Sequence, residues 1–376
     1  MRGKRRDLRV ALAAVVATAA LTLSACGANS AGPGSGGGDT APANSKGTIG
    51  VLLPETATSA RWEAFDKPYL KSAIEGEGYS ANIQNAQGDV QKFASLADGM
   101  IASGVKALVV ASPNPEVGAA VERKASDAGI PTIAYDRLNP GGTSDYYVTF
   151  DNIRVGELQA QALVKAVADV RGAQIIQIEG APDENNAVRF HEGQLKILQP
   201  LYDDRTLVLV RDQFITGWDN QLGGTTFEQI LTGNGGRVDG VIAANDGMAG
   251  AVITVLQKNG LNGKVPVTGQ DATLAGLQSI LRGDQLMTVF KAIKTQAEAT
   301  AKLAALVADA NNDGADQFAS QITVDPKSGR KIKSVLLDPE VVTRDNVKKV
   351  VDGGYVAAQD LCAPDLLAVC KELGIQ

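Results

Sequence analysis

From residue 48 onward, the chain alternates short apolar runs with longer segments of helical spacing, and this alternation restricts its fold more than any other feature. Nine apolar runs have the length and composition of buried strands; they lie at 48–53, 107–111, 131–135, 146–150, 173–178, 207–210, 238–243, 265–268 and 286–290. Repeated β-α units predict parallel sheets covered by helices on both faces. So many strands in 376 residues predict an α/β fold with two doubly wound parallel-sheet lobes.

The residues before this alternation have the composition of an export signal and a linker. Basic residues precede an apolar stretch at 10–23, which is shorter than the roughly 20 residues of a spanning helix. The stretch ends in Leu-Ser-Ala-Cys, a lipobox, which predicts a signal peptide over 1–25 and lipidation of Cys26. The alternative is an ordinary signal peptide followed by an incidental cysteine. Residues 26–47 are rich in Gly, Ser, Ala and Pro and predict a flexible tether.

Together these segments predict where the protein resides. Two acyl chains on a cysteine give a stable membrane anchor. We therefore expect an exported protein, lipid-anchored to the outer face of the cytoplasmic membrane, at the cell surface or in the periplasm.

Charge and motifs exclude several classes of function. The formal net charge is −6, and the first 25 residues carry +4, so the remainder is near −10 and disfavours nucleic acid as a partner. The sequence has no H-E-x-x-H, G-x-S-x-G or phosphate-loop pattern, and His191 is the only histidine and is assigned no role. We expect no catalysis, cofactor or metal, although a glycosidase carboxylate pair stays open. Residues 309–314 begin like a calcium loop, but Ser320 stands at its twelfth position, which favours a helix-ending turn.

Polar side chains follow the carboxyl ends of the predicted strands, where ligands bind in doubly wound sheets. The candidate ligand-binding residues are Arg61, Trp62, Asp136, Arg137, Glu184, Asn186, Trp218, Asn245, Asp271 and Lys291. Carboxylates accept hydrogen bonds, Arg and Lys donate them, and Asn does both, while flat indole rings suit the C–H faces of a sugar.

Each candidate also has a purely structural alternative. The pair Asp136-Arg137 can form a surface salt bridge, and the two tryptophans can belong to the core. Asn245 and Asp271 can cap the helices that follow them.

Several stretches carry a family resemblance from residue 46 to about 355. They are Ala60-Arg61-Trp62, Ala134-Tyr135-Asp136-Arg137, Phe150-Asp151-Asn152, Val155-Gly156-Glu157-Leu158-Gln159-Ala160, Asn185-Asn186-Ala187, Gly217-Trp218, Asn245-Asp246, Gly269-Gln270-Asp271-Ala272 and Met287-Thr288-Val289-Phe290-Lys291. In this order and spacing the chain resembles the bacterial periplasmic D-xylose-binding proteins, of the ribose/galactose-binding class. Two features depart from the xylose pattern: Glu184 stands where that pattern has Asp, and residues 58–62 resemble relatives that bind glucose and several aldoses.

The resemblance implies a type I periplasmic-binding-protein fold, a Venus flytrap that closes on a free monosaccharide. It implies that the candidates other than Trp62 and Glu184 contact the sugar, with D-xylose first and D-glucose as runner-up. It further implies a monomer that delivers its ligand to an ABC permease with its ATPase. There are two alternatives. The protein can be a glucose or multi-aldose binding protein of the same fold, or a tethered sensor that presents the same sugar to a receptor.

The resemblance also implies lobe boundaries. The N-terminal lobe is expected to comprise 48–151 and 291–325, and the C-terminal lobe 152–290 and 326–376. The three crossovers, which would act as hinges, are expected near 151–152, near 289–291 and within about 324–337.

The two cysteines of the C-terminal extension lie outside the resemblance. Cys362 and Cys370 are eight residues apart, about 12 Å on one straight helix, which is too far for a disulfide. Pro364 lies between them and can begin a helix at its first turn. We therefore predict a disulfide in which Cys362 lies in the preceding loop, with two reduced cysteines as the alternative.

Overall fold

The computed structural model describes residues 45–56, 59 and 61–375. The predicted signal peptide, the lipidation site Cys26 and nearly all of the tether lie outside the described residues. Within the described part of the chain, no helix is both long enough and apolar enough to cross a bilayer.

The first third of the described chain consists of β-α units followed by one strand pair. Its elements are β1 Thr48–Leu53, α1 Lys67–Gly76, β2 Ser80–Asn85, α2 Val90–Ala102, β3 Ala107–Val110, α3 Pro115–Asp127, β4 Thr132–Tyr135 and β5 Tyr146–Phe150. One π-helical turn, Trp62–Asp66, leads directly into α1.

The middle third repeats the same alternation. Its elements are α4 Asn152–Ala166, β6 Ala173–Glu179, α5 Asn185–Asp203, β7 Leu207–Phe214, α6 Asn220–Gly233, β8 Gly240–Ala243, α7 Asp246–Lys258, α8 Leu274–Arg282 and β9 Thr288–Phe290. A short 3₁₀ turn, Thr216–Trp218, follows β7.

The last third completes both halves of the molecule. Its elements are α9 Ile293–Ala308, α10 Asn312–Phe318, β10 Gln321–Val324, β11 Lys331–Leu337, β12 Glu340–Val342, α11 Lys348–Asp352, α12 Ala358–Leu361 and α13 Leu367–Glu372. A 3₁₀ turn, Pro364–Leu366, precedes α13.

The strands form two separate groups, as the sequence predicted. A seven-stranded sheet has the order β10-β11-β5-β4-β3-β1-β2, and all its pairs are parallel except β10 with β11. The second group has the parallel order β7-β6-β8, and isolated bridges Val241–Val267 and Gln270–Val289 lead on from it to the antiparallel pair β9 and β12. The fold is thus the predicted type I periplasmic-binding-protein architecture.

Alternation along the central strands places apolar side chains in layers on both faces of each sheet. In β3, Val109 packs in a cluster with residues of α1 and α9, whereas Leu108 and Val110 pack in a cluster with residues of α2 and α3. In β6, Ile176 packs with α6 and α7, and Ile175 packs with α4 and α5. Helices therefore cover both faces of both sheets, as predicted.

The strand predictions were wrong or incomplete at particular places. The run 265–268 does not form a strand; Val267 makes only one bridge to Val241. The strand β2 was missed because its sequence, Ser-Ala-Asn-Ile-Gln-Asn, is polar, and it lies at the edge of the sheet where most of its side chains are partly exposed.

The chain passes between the two strand groups three times. It leaves β5 for α4 at Asp151, returns from β9 to α9 at Lys291-Ala292, and leaves β11 for β12 at Asp338-Pro339. β11 pairs with β5 and so belongs to the seven-stranded sheet. The third crossover therefore follows β11 and lies just beyond the expected window of about 324–337. The expected boundary had placed residues from 326 onward in the other lobe.

The C-terminal extension has the arrangement expected from its cysteines. Cys362 follows α12, the turn at Pro364 reverses the chain, and a disulfide joins Cys362 to Cys370 of α13. Cys370 is buried in an apolar cluster with residues of α8, so the extension packs onto the second strand group.

Candidate functional site

The loops at the carboxyl ends of the strands enclose one cavity between the two strand groups, hereafter the inner cavity. All ten residues singled out from the sequence line it: Arg61, Trp62, Asp136, Arg137, Glu184, Asn186, Trp218, Asn245, Asp271 and Lys291.

A buried charge cluster holds Arg61 in place. Its guanidinium donates to Asp66 from Nε at 3.0 Å and from Nη2 at 2.8 Å, and Nη1 donates to Asp136 Oδ2 at 3.0 Å. Burial opposes the charge of Arg61, but the carboxylates of Asp136 and Asp66 outweigh it and hold the pKa of Arg61 well above its ordinary value. Asp66 also accepts from Tyr135 Oη at 2.6 Å. Asp136 is therefore buried and paired with Arg61, so the structural alternative for Asp136-Arg137, a salt bridge at the surface, does not apply.

Asp136 is an ionised acceptor at the centre of this cluster. Burial raises its pKa, yet Arg61, then Lys291 and Arg137 outweigh burial and lower the pKa of Asp136 to about 2. Its backbone has φ of +62°, in the left-handed region, so the side chain leaves the end of β4 at a sharp turn.

Trp62 forms an aromatic wall braced by hydrogen bonding and by cations. Its indole Nε1 donates to Glu55 Oε1 at 3.1 Å, and only 1% of the residue is exposed. The Arg61 and Arg137 guanidinium carbons lie 4.5 Å and 5.2 Å from its ring centroid. Trp62 therefore belongs to the core, as the structural alternative held, and also lines the cavity.

The beginning of α5 supplies Glu184 and Asn186 from the second strand group. Glu184 caps the helix, with Oε1 accepting from the Asn186 backbone N–H at 3.0 Å, and burial raises the pKa of Glu184. The Asn186 amide nitrogen donates to the Asp136 carbonyl at 3.0 Å, and its Oδ1 accepts from Asn152 Nδ2 at 2.8 Å. Asn186 thus ties the two strand groups together beside the cavity.

Trp218 forms a second aromatic wall. Its ring lies against the backbone of Gly180, where any Cβ would come within 2.3 Å of the ring. Its indole nitrogen is buried and has no hydrogen-bond partner among the described residues. Phe190, which the sequence analysis missed, packs edge-on against Trp218 at 6.3 Å between centroids and also lines the cavity.

The structural alternative for Asn245 and Asp271 was that each caps the helix after it, and this is correct for Asn245 but not for Asp271. Asn245 does cap its helix, since its Oδ1 accepts from the Met248 N–H at 2.9 Å, and it lines the cavity as well. Asp271 caps nothing; Thr273 is the N-cap of α8. Instead Asp271 Oδ1 lies 3.2 Å from Lys291 Nζ, in an ion pair of which both side chains are largely buried.

Three lining residues were absent from the predicted set: Ser59, Phe190 and Gln270. Gln270 precedes Asp271 in a stretch that carries the resemblance, and Ser59 lies in the segment 58–62 that resembles the aldose-binding relatives, so the position of both residues was a usable signal. Phe190 had none, because an apolar residue on a helix normally indicates core.

The cavity suits a neutral, polyhydroxylated ligand. Three cations, Arg61, Arg137 and Lys291, line the cavity together with three carboxyl groups, Asp136, Glu184 and Asp271, so it offers both donors and acceptors without a strong net charge. The aromatic walls offer flat apolar surface. Among the described residues, no group of three or more His, Cys, Asp or Glu side chains is placed to hold a metal ion.

Two further sequence features lie away from the cavity. His191, to which no role was assigned, is partly buried, and its Nε2 lies 2.6 Å from Asp212 Oδ2. Asp309, the first residue of the calcium-like segment, ends α9 and accepts from Tyr79 Oη at 2.6 Å.

Known proteins share both the sequence and the fold. The sequence matches the periplasmic binding protein domain family over residues 49–312. It is 36% identical to the D-xylose-binding periplasmic protein of Escherichia coli K12, over 81% of this chain and 88% of that protein. It is 32% identical to the multiple sugar-binding periplasmic receptor ChvE of Rhizobium radiobacter, over 84% and 92%.

A solved structure agrees with this sequence match. A carbohydrate transporter solute-binding protein of Chloroflexus aurantiacus in complex with D-glucose is 30% identical, with a TM-score of 0.74, over 83% of this chain and 97% of that one. The chain belongs to the periplasmic binding protein family.

Proposed function

We propose that the protein is the extracytoplasmic sugar-binding component of an ABC importer and binds a free monosaccharide, D-xylose first, without turning it over. The observation that carries the proposal is the inner cavity, in which ten polar, charged and aromatic side chains from both strand groups converge. The D-xylose-binding relatives support xylose as the ligand.

D-glucose is the second candidate, for a specific reason. The multiple sugar-binding relatives and two glucose-bound structures at 27% and 30% identity match the chain over similar lengths. Glucose differs from xylose by one exocyclic CH₂OH, so the choice depends on whether a bulky side chain such as Trp218 or Arg61 fills that space.

The ten lining residues that the sequence predicted are proposed as the sugar contacts. Asp136, Asp271 and Glu184 would accept from hydroxyls, Arg61, Arg137 and Lys291 would donate to them, and Asn186 and Asn245 would supply amide groups. Trp62 and Trp218 would cover the two faces of the ring.

The membrane anchor belongs to the same proposal. Acylation of Cys26 would hold a monomeric protein at the outer face of the cytoplasmic membrane, within reach of the permease. In cells, wild-type protein should partition with membranes and Cys26→Ala should not.

A thermal-shift panel tests the ligand class. The purified full chain in detergent is melted with D-xylose, D-glucose, D-ribose, L-arabinose and D-galactose, because a ligand that binds only the folded state raises the melting temperature. The largest shift is expected with D-xylose. A panel without any shift would contradict the proposal.

A further inference from the structure

A second and larger cavity adjoins the inner one. The two share three side chains, Arg137 from the seven-stranded sheet and Glu184 and Trp218 from the other strand group. This outer cavity is also lined by Gln87, Pro113, Asn114, Ala181 and Asp183.

The shared wall has polar groups that can serve a ligand from either side. Arg137 Nη1 donates to the Ser112 carbonyl at 3.1 Å, and Glu184 accepts from backbone N–H groups of α5, so each is held by its own strand group. Trp218 lines both cavities with its ring, while its indole N–H is buried and faces neither of them.

The charge of the outer cavity selects against anions. One guanidinium, Arg137, faces the carboxyl groups of Glu55, Asp183 and Glu184. A uronic acid or a phosphorylated sugar would be repelled there, whereas a neutral hydroxylated ring would not.

The remaining wall has the mixed character of a sugar site. Pro113, Ala181 and the Trp218 ring provide apolar surface, and Gln87 and Asn114 provide carboxamides. Asn114 Oδ1 accepts from the Val117 N–H at 3.0 Å as the cap of α3, which leaves its amide nitrogen as the donor toward a ligand.

We propose that the outer cavity is a second sugar subsite, so that the protein binds short neutral glycosides with one ring in the inner cavity and the next ring beyond Arg137 and Trp218. The proposal rests on the proposed function, because it requires a sugar ring in the inner cavity. It widens the ligand class from free monosaccharides to disaccharides.

The experiment compares ligands and a blocking variant. Calorimetry on the purified full chain in detergent is run with D-xylose, xylobiose, cellobiose and maltose. Asp183→Trp places a large ring in the outer cavity; Asp183 is exposed and does not line the inner cavity, so the fold and the monosaccharide contacts should be retained. Asp127→Trp, at the far end of α3, is the matched control because it makes the same exchange at another exposed aspartate.

At least one disaccharide should bind to the wild type and to Asp127→Trp. In Asp183→Trp, the dissociation constant of that disaccharide should rise about tenfold or more, while that of D-xylose stays within about twofold. D-xylose binding without any disaccharide binding would overturn the second subsite alone, as would equal weakening of both ligands in Asp183→Trp. Silence of all four sugars would overturn the proposed function and, with it, the second subsite.

Discussion

Arg61 and Asp136 are 75 residues apart in sequence, yet Arg61 Nη1 lies 3.0 Å from Asp136 Oδ2 inside the inner cavity. Asp66 binds the opposite side of the same guanidinium, so the orientation of Arg61 is set before any ligand enters. Because Arg61 and neighbouring cations lower the pKa of Asp136 to about 2, its carboxylate remains an acceptor far below neutral pH. This preorganisation reduces the entropy that ligand binding must overcome.

Replacing Asp271 should weaken binding of both xylose and glucose. The Asp271→Ala change removes a charged acceptor and leaves Lys291 without its partner at 3.2 Å. We expect a loss of about 2–4 kcal/mol of binding free energy, measured by calorimetry.

Asp271→Asn is the shape-matched control for that change. The backbone φ of Asp271 is +92°, which an asparagine adopts more readily than an alanine, so Asn removes the charge with less backbone strain. Both variants should bind more weakly than the wild type. An affinity within about threefold of the wild type in both would exclude Asp271 from the binding set.

Much of the inner cavity was predictable because parallel strands end at a common edge. Asp136 follows β4 of the seven-stranded sheet and Asn245 follows β8 of the second strand group, so a strand prediction places each side chain at the carboxyl edge of its own sheet. The family resemblance then distinguished these residues from ordinary caps and surface charges.

Long-range pairing was less predictable. Asp66 is fully buried and binds Arg61, but it lies in a π-helical turn, and the spacing of apolar residues in the sequence does not predict such a turn. The third crossover was expected too early because nothing local in β11 indicates that it pairs with β5, and only that pairing moves the crossover to Asp338-Pro339.

Stability should fall as pH rises through weakly acidic values, in part because of Glu122. Burial raises the pKa of Glu122 from 4.5 to about 7, although Asn139 and two backbone N–H groups favour its charged form. Between these values the folded protein binds more protons than the unfolded chain, so the free energy of unfolding decreases with pH and levels off above about 7. Denaturant unfolding from pH 5 to 8 measures this slope.

Burial also raises the pKa values of Glu179 and Asp246 to about 7, so these two groups contribute to the same fall in stability. The Glu122→Gln variant is therefore needed to separate the contribution of Glu122 from theirs. Relative to the variant, the wild type should lose up to about 3 kcal/mol between pH 5 and 7.5. Glu116→Gln, exposed on the same helix, controls for the loss of one negative charge. Parallel pH curves for wild type and Glu122→Gln would refute this assignment.

Helices α4 and α5 approach each other through glycines, so a methyl group there should be destabilising. A Cβ on Gly156 would lie 1.8 Å from the Phe190 carbonyl oxygen, and one on Gly193 would lie 2.0 Å from the Ile153 carbonyl oxygen. Gly156→Ala should cost about 1–3 kcal/mol in denaturant unfolding, because the helices must separate. Gly99→Ala in α2, where a Cβ meets no atom within 4 Å, should instead stabilise by about 0.5–1 kcal/mol. Equal effects at both sites would contradict the packing argument.

Ligand binding should close the cleft between the two strand groups. We propose lobes comprising 48–151 with 291–337 and 152–290 with 338–375, hinged at the three crossovers. Asn186 donates to the Asp136 carbonyl and so joins the two groups beside the inner cavity, and a sugar that contacts both groups would favour the closed form. Small-angle scattering should show a smaller radius of gyration with saturating xylose. An unchanged radius together with measured binding would argue against hinge closure.

Calorimetric titration of the full chain in detergent with D-xylose and D-glucose tests the proposed ligand most directly. The inner cavity and the D-xylose-binding relatives lead us to expect saturable binding of one sugar per chain, with D-xylose tighter than D-glucose. Tighter binding of D-glucose would reverse the order of the two ligands and leave sugar binding intact. Absence of binding to both, with ribose, arabinose and galactose also silent, would contradict the assignment of the inner cavity as a sugar site.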